Sequence, residues 1–342
     1  MKKASFVKTF IYLITIILLS CFDYSNIRAQ EPPLTIEPIY PDNQHKATKG
    51  YFDLSVNPGE KLNLKVKIIN NEDKDVTVTI TPANAFTSPT GGMMYEQEAG
   101  SENTRLLDDA VRLAEYIDVK GSVTVSPHSA IEVPIAVNTP KVKGENALGG
   151  LLFTMQGEKT EKAQEVEKGT ANFILKTETV YAIALQLNFL EEVPSNYLFG
   201  ESGFHADTAQ VYIEMLNDAN KIEENVSGNY TVTNQSGEEL FSGRYGPFKM
   251  APNSWIRFPM QWGHDTLDDG TYTLTMDGTA GDSKVTTSKT FKIANKDVEQ
   301  YVEKNETKLP TAATESTVPT WVWVGGAILF GLIMFFIGRR KK

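Results

Sequence analysis

Leu62, Leu64, Val66 and Ile68 alternate with Asn63, Lys65 and Lys67 directly after the turn Asn57-Pro58-Gly59. A period of two sends successive side chains to opposite faces, so this run is a strand with one buried and one wet face. No helix can satisfy that pattern. It recurs along the chain: after the polar turn Asn70 to Asp75, Val76, Val78 and Ile80 alternate with Thr77, Thr79 and Thr81. Tyr51 to Val56 precedes the first run as a strand. Val123/Val125 and Ile131/Val133/Ile135/Val137 follow, with the turn Ser126 to Ser129 between them. Pro134 cannot donate to a ladder and marks that last run as an edge strand.

Gly149-Gly150-Leu151-Leu152-Phe153 opens another strand, and the paired glycines are read as a backbone feature. Glu158 to Gly169 reads as a long hairpin loop, and Phe173 to Leu190 as its returning strand, with Tyr181, Ile183, Leu185 and Leu187 on one face. Ser88 to Gly92 is loop. Leu106, Leu107, Ala110, Val111 and Ala114 recur at helical spacing and predict a short helix over one end of a sheet.

Glu191-Glu192-Val193-Pro194 reads as a domain boundary. Beyond it, strands are expected at Val211/Ile213/Met215, Tyr230/Val232, Leu240/Phe241, Ile256/Phe258/Met260/Trp262, Tyr272/Leu274/Met276 and Phe291/Ile293. Polar turns such as Gln235-Ser236-Gly237 and Asp268-Asp269-Gly270 separate them. Short strands at this spacing predict an all-β chain of two immunoglobulin-like β-sandwich domains in tandem, residues 30–190 and 191–294, plus one C-terminal transmembrane helix. Asn295 to Thr320, with Pro310 and Pro319, reads as a polar stalk.

The ends carry targeting signals. Lys2, Lys3 and Lys8, the apolar run Phe10 to Leu19 and the site Ile27-Arg28-Ala29 make residues 1–29 a signal peptide. Leu18-Leu19-Ser20-Cys21 also resembles a lipobox with Cys21 as the lipidated residue, although a C-terminal span would make that anchor redundant. At the other end residues 321–338 are uncharged and apolar, about long enough to cross a bilayer. Trp321 and Trp323 stand where an interfacial aromatic belt belongs, and Arg339, Arg340, Lys341 and Lys342 form a cytoplasmic tail. The expected placement is therefore a single pass through the cell membrane, N-terminus outside and C-terminus inside. Leu309-Pro310-Thr311-Ala312-Ala313 resembles a sortase signal but lacks the Thr-Gly scissile pair.

Cys21 is the sole cysteine, so cleavage after Ala29 leaves none, and no disulfide framework can hold the fold. The formal net charge is -10, and no basic stripe exists to neutralise phosphates, which excludes nucleic acid as a partner. His45, His128, His205 and His264 are scattered, with no zinc-ligand spacing. No nucleophile elbow or phosphate loop is present. Asp265, Asp268 and Asp269 read as a solvated turn rather than a calcium site. No catalytic residue, metal ligand or cofactor is expected. Trp255 and Trp262 are seven apart and point to opposite faces of one strand: one fills the core, and the other is either packed or an exposed contact.

Tyr51-Phe52-Asp53-Leu54, Pro58-Gly59-Glu60, Gly149-Gly150-Leu151, Met250-Ala251-Pro252-Asn253-Ser254, Leu267 and Gly270-Thr271-Tyr272-Thr273-Leu274 occur in that order before an apolar span and basic tail. In this layout the chain resembles the WxL-interacting proteins of low-GC Gram-positive bacteria. The resemblance implies a peptidoglycan-binding first domain and a second domain that contacts host matrix proteins. It also implies partnership with WxL-domain surface proteins. It assigns no ligand-binding residue. The expectation is a non-enzymatic, membrane-anchored adhesion and scaffold protein; the alternative is a surface hydrolase acting on cell wall, which would need two facing carboxylates.

Overall fold

The computed structural model describes residues 32–156, 178–281 and 283–306. The expected signal peptide, Cys21, the long loop over 158–169, the sortase-like motif, most of the stalk, the membrane span and the tail lie outside these residues. Among the described residues, no helix is long and apolar enough to cross a membrane.

The chain is all-β. One sheet has the order β1 (Leu34–Ile39), β3 (Lys61–Asn70), β9 (Ala130–Asn138), β7 (Ile117–Val119). Facing it is a sheet of β2 (Phe52–Ser55), β11 (Glu178–Asn188), β10 (Asn146–Gln156), β4 (Val76–Thr87) and β5 (Met93–Glu96), with β8 (Ser122–Val125) also on β4. The pair β2–β11 is parallel. Leu64, Val66, Ile68, Ile135 and Val137 from the first sheet meet Val78, Ile80, Leu151, Phe153, Leu185 and Leu187 from the second in one core. The alternation that predicted β3 is the alternation of its burial, with Leu62, Leu64, Val66 and Ile68 inside and Asn63 and Lys65 exposed.

A second sandwich follows. Its sheets are β12 (Tyr197–His205), β13 (Gln210–Asn217), β16 (Ser254–Gln261), β6 (Thr104–Leu106), and β15 (Glu239–Met250), β14 (Glu223–Thr233), β17 (Gly270–Ala280), β18 (Ser283–Ile293). Val211, Ile213, Met215, Ile256 and Met260 pack against Val232, Leu274, Met276, Phe291 and Ile293. Each sandwich thus has its own core, but β6 comes from the first half of the chain and completes a sheet of the second.

That placement corrects the helix expected from Leu106 to Ala114. The Leu107 amide donates to Asn253 O at 2.8 Å, across the two sandwiches, instead of closing a helical turn. Leu106 and Ala110 bury against Phe86, while Leu113, in a 3₁₀ turn over Leu113–Tyr116, enters the first core. The apolar spacing serves a small cluster around Phe86 and the first core rather than one helical face.

Three further differences have local causes. Strand β9 is not a simple edge: β7 pairs with its residues 135–137, and Pro134 lies where that pairing ends. Strand β12 escaped the alternation because Gly200 and Gly203 interrupt it and a bulge falls between Phe199 and Ser202. The start of the expected stalk is a helix, α1 (Asn295–Glu306). The Asp297 carboxylate caps it by accepting the Ala294 amide at 2.9 Å, and Val298 packs against the second core.

At Gly149 a side chain would meet Ala83 O at 2.8 Å and Leu113 Cβ at 2.9 Å, so this position admits only glycine as β10 passes the 3₁₀ turn.

Candidate functional site

Three places gather polar chemistry: a loop clasp on the first sandwich, the seam between the sandwiches, and a cleft on the second.

The clasp is built around Asp53, buried in the strand β2. Its carboxylate accepts Thr48 Oγ1 at 2.7 Å and Asn188 Nδ2 at 2.7 Å, and lies 3.3 Å from His45 Nδ1. His45 Nε2 in turn lies 2.9 Å from Ser55 Oγ. The antiparallel bridge Gln44↔Leu54 causes this order, because it seats His45 between Asp53 and Ser55 on one face. In the sequence His45 is one of four scattered histidines; the bridge that joins it to Asp53 and Ser55 has no signature in local spacing.

A serine–histidine–aspartate chain invites a hydrolytic reading, but the surroundings do not support one. An acyl-transfer site needs amides free to hold an oxyanion. Here the His45 amide donates to Asp53 O, Ser55 to Asn43 O, Val56 to Asn188 O, and Asp53 to Gln44 Oε1. The cluster instead ties the loop 41–50 to the sandwich. Tyr40 stands exposed beside it, its hydroxyl accepting the Gly50 amide at 2.7 Å and its ring 5.4 Å from Lys49 Nζ.

The seam is larger. Thr87 Oγ1 lies 2.6 Å from Ser254 Oγ, Ser254 Oγ donates to Ala251 O at 2.7 Å, and the Ala251 amide donates to Thr87 Oγ1 at 2.9 Å. Thr104 Oγ1 adds a bond to Thr87 O at 2.7 Å. Beside this ring Asn253 Nδ2 donates to Asn220 Oδ1, and the Asn220 carbonyl accepts the amides of Glu145 and Asn146. Asn146 Oδ1 accepts the Ile222 amide, and Asn146 Nδ2 donates to Asn188 Oδ1. Asn188 then reaches Asp53. A line of asparagines, linked by side chains except between Asn220 and Asn146, where the backbone makes the bond, therefore joins the second sandwich to the clasp on the first. Ala85 and Leu148 meet Ile222 in a small apolar cluster alongside.

Both tryptophans are packed. Trp255 is 5% exposed and lies under two guanidinium groups, Arg105 from the β6 segment at 4.7 Å and Arg257 at 5.3 Å. Trp262 is half-buried, edge-on to Phe241 and Tyr272, with Nε1 donating to Thr266 O at 2.8 Å. Neither is the exposed contact that one of them could have been.

The remaining histidines serve turns and edges. His128 pairs with exposed Asp73, His264 faces Thr266, and His205 stacks on Tyr212 at 4.6 Å. Burial lowers the His205 pKa, with Arg257 reinforcing the shift and Glu102 and Asp207 opposing it. Asp265, Asp268 and Asp269 stay exposed. Among the described residues no group of three or more His, Cys, Asp or Glu is placed to hold a metal. Trp321, Trp323, Arg339, Arg340, Lys341 and Lys342 lie outside the described residues.

The cleft, of about 590 Å³, opens on the sheet β15-β14-β17-β18 and is lined by Asn229, Arg244, Asp277, Lys284 and Thr286 among others.

Residues 34–155 match the family model described as WxL Interacting Protein, peptidoglycan binding domain, and residues 170–303 that of the WxL Interacting Protein, host binding domain. No curated protein matches the chain. Among solved structures it is similar to the CsuC–CsuE chaperone–tip adhesion subunit complex of Acinetobacter baumannii, at 10% identity over 76% of this chain and 99% of that one, TM-score 0.35. It is also similar to the SafA pilin–SafB chaperone complex of Salmonella enterica, at 9% identity over 76% and 96%, TM-score 0.32. Likenesses this distant carry no argument about function.

Proposed function

The chain belongs to the WxL Interacting Protein family, and from that premise we propose that it is a non-enzymatic scaffold of the bacterial surface. The first sandwich binds peptidoglycan. The second binds WxL-domain surface proteins or host matrix proteins. The apolar segment 321–338 anchors the chain in the cell membrane, with Trp321 and Trp323 at the outer interface and Arg339 to Lys342 inside.

The observation that carries this reading is the order of the two family domains on one chain, joined by a buried seam rather than by a free linker alone. A seam made of β6, the Thr87–Ser254 ring and the asparagine line holds the wall-facing and partner-facing modules in one arrangement. That geometry suits a part that transmits load between wall and partner. The committed amides around Ser55 speak against an acyl-transfer reading of the Ser55–His45–Asp53 chain.

The test uses the protein comprising residues 32–306. It should sediment with purified peptidoglycan, survive moderate salt because screening removes only exposed charge attraction, and retain a WxL-domain protein from a surface extract. Failure to sediment with wall and to retain any such protein would sink the proposal. Protease added to protoplasts of the native host should remove both sandwiches; their full protection would refute the orientation.

A further inference from the structure

The outer face of the sheet β15-β14-β17-β18 carries a register row in which Arg244 stands opposite Asn229, Asn229 opposite Asp277, and Asp277 opposite Thr286. All four are exposed. With strands about 4.8 Å apart, the row runs about 14 Å across the sheet. Arg244 Nε donates to Asn229 Oδ1 at 3.4 Å, and Thr286 Oγ1 to Asp277 Oδ1 at 2.9 Å. A second row, Ser227, Thr279 and Lys284, lies beside the first. At one end of the cleft the pairing of β14 with β15 shifts register between Glu223 and Val226 and again between Val226 and Gly228. Gly246, at φ 74°, passes so close to the Val226 carbonyl that no side chain fits there.

The chemistry of this cleft is selective. Hydrogen-bond donors and acceptors alternate along it, as a polyhydroxyl ligand requires. The aromatic ring that lines it, Tyr245, is 4% exposed, and Pro247 is its exposed apolar side chain, so no large aromatic anchor of the kind that dominates protein–protein contacts stands open in it. Its cations are spare. On the same two outer strands Lys249 and Lys289 each face a carboxylate, whereas Arg244 and Lys284, in the cleft, face none among the described residues. Arg244 and Lys284 stand on the two outer strands with the exposed Asp277 carboxylate on a strand between them, so the two ends of the cleft, rather than its middle, favour negative groups. A guanidinium holds a carboxylate in two-point fashion.

We infer that this cleft binds an acidic saccharide, a host glycan built of uronate and N-acetylhexosamine units. Arg244 and Lys284 hold carboxylates, and Asn229, Asp277, Thr279 and Thr286 hold hydroxyl and amide groups. The inference rests on the host-binding reading of the second sandwich and names the chemistry of its ligand.

The test is a titration of the protein comprising residues 32–306 with an oligosaccharide alternating glucuronate and N-acetylglucosamine. The same oligosaccharide with reduced carboxyls and soluble peptidoglycan fragments serve as the other arms. Binding should weaken at least tenfold for the carboxyl-reduced form and for R244A/K284A. Both side chains are exposed, so the variant should keep its thermal transition and its sedimentation with peptidoglycan. No binding of the uronate oligosaccharide, equal binding by the double variant, or preference of the cleft for peptidoglycan fragments overturns the inference. Equal retention of native and deglycosylated matrix protein by wild type and variant alike also overturns it, while leaving the host-binding reading intact. Loss of all matrix-protein binding with the oligosaccharide titration preserved does the reverse.

Discussion

Thr87 and Ser254 stand 167 residues apart in sequence, and their hydroxyl oxygens lie 2.6 Å apart in a buried contact. The only self-consistent proton order has Thr87 donating to Ser254, Ser254 to the Ala251 carbonyl, and the Ala251 amide back to Thr87. Every polar atom of that ring is satisfied by another member. Such a closed set is worth little net of water, but losing one member leaves the others buried and unpaired.

Thr87→Val should therefore cost about 1–3 kcal/mol, and Ser254→Ala a similar amount. The double variant should cost less than the sum, because the second change removes a group the first has already orphaned. Urea denaturation of residues 32–306 checks this; strict additivity would mean the ring does not act as a unit.

The two sandwiches should not be interchangeable with their isolated halves. Residues 191–306 alone lose β6 and uncover Trp255 and the edge of β16. The fragment should bind a hydrophobic dye more strongly and show red-shifted tryptophan emission relative to residues 32–306. Indistinguishable dye binding and emission would show that β6 contributes nothing to the second sandwich.

Trp255→Ala removes a large side chain packed under the seam, and a cost of about 3–5 kcal/mol is expected. Arg105→Ala removes only one cation from above the ring and should cost about 0.5–2 kcal/mol. Chemical denaturation of both variants gives the order; a larger loss for Arg105→Ala would contradict the packing described.

Acid should weaken the second sandwich through His205. Burial holds its folded pKa below the usual value, so the unfolded chain binds more protons and stability rises with pH. This contribution is full above about pH 6.5, the ordinary imidazole value, and is lost as pH falls through it towards the lower folded value. His205→Gln should flatten the stability profile between pH 7 and pH 5.5. A profile unchanged by the substitution would remove His205 as the cause.

The strands of both cores could be read directly, because burial on one face imposes a period of two on consecutive residues: Leu62 to Ile68 and Tyr272 to Met276 needed no partner to be recognised. The same locality explains the misreadings. Leu106 and Ala110 look helical because spacing records that a residue is buried, not against what; only the fold sends them to one cluster and Leu113 to another. Strand β12 hid behind Gly200 and Gly203.

The site residues were less legible. The motif residues Asp53, Asn253 and Ser254 were visible as a pattern, yet their work depends on Asn188, Asn220 and Thr87, which spacing cannot bring to them. The cleft row of Arg244, Asn229, Asp277 and Thr286 is set by strand register across four strands. By itself the sequence determined the all-β class and the apolar faces of the main strands, since these follow from the alternation of neighbours. The tertiary structure alone decided that β6 completes the second sandwich, that a polar line joins Asn253 to Asp53, and that two cations share one cleft. Those contacts join residues distant in sequence, and their free energy exists only once both partners have folded.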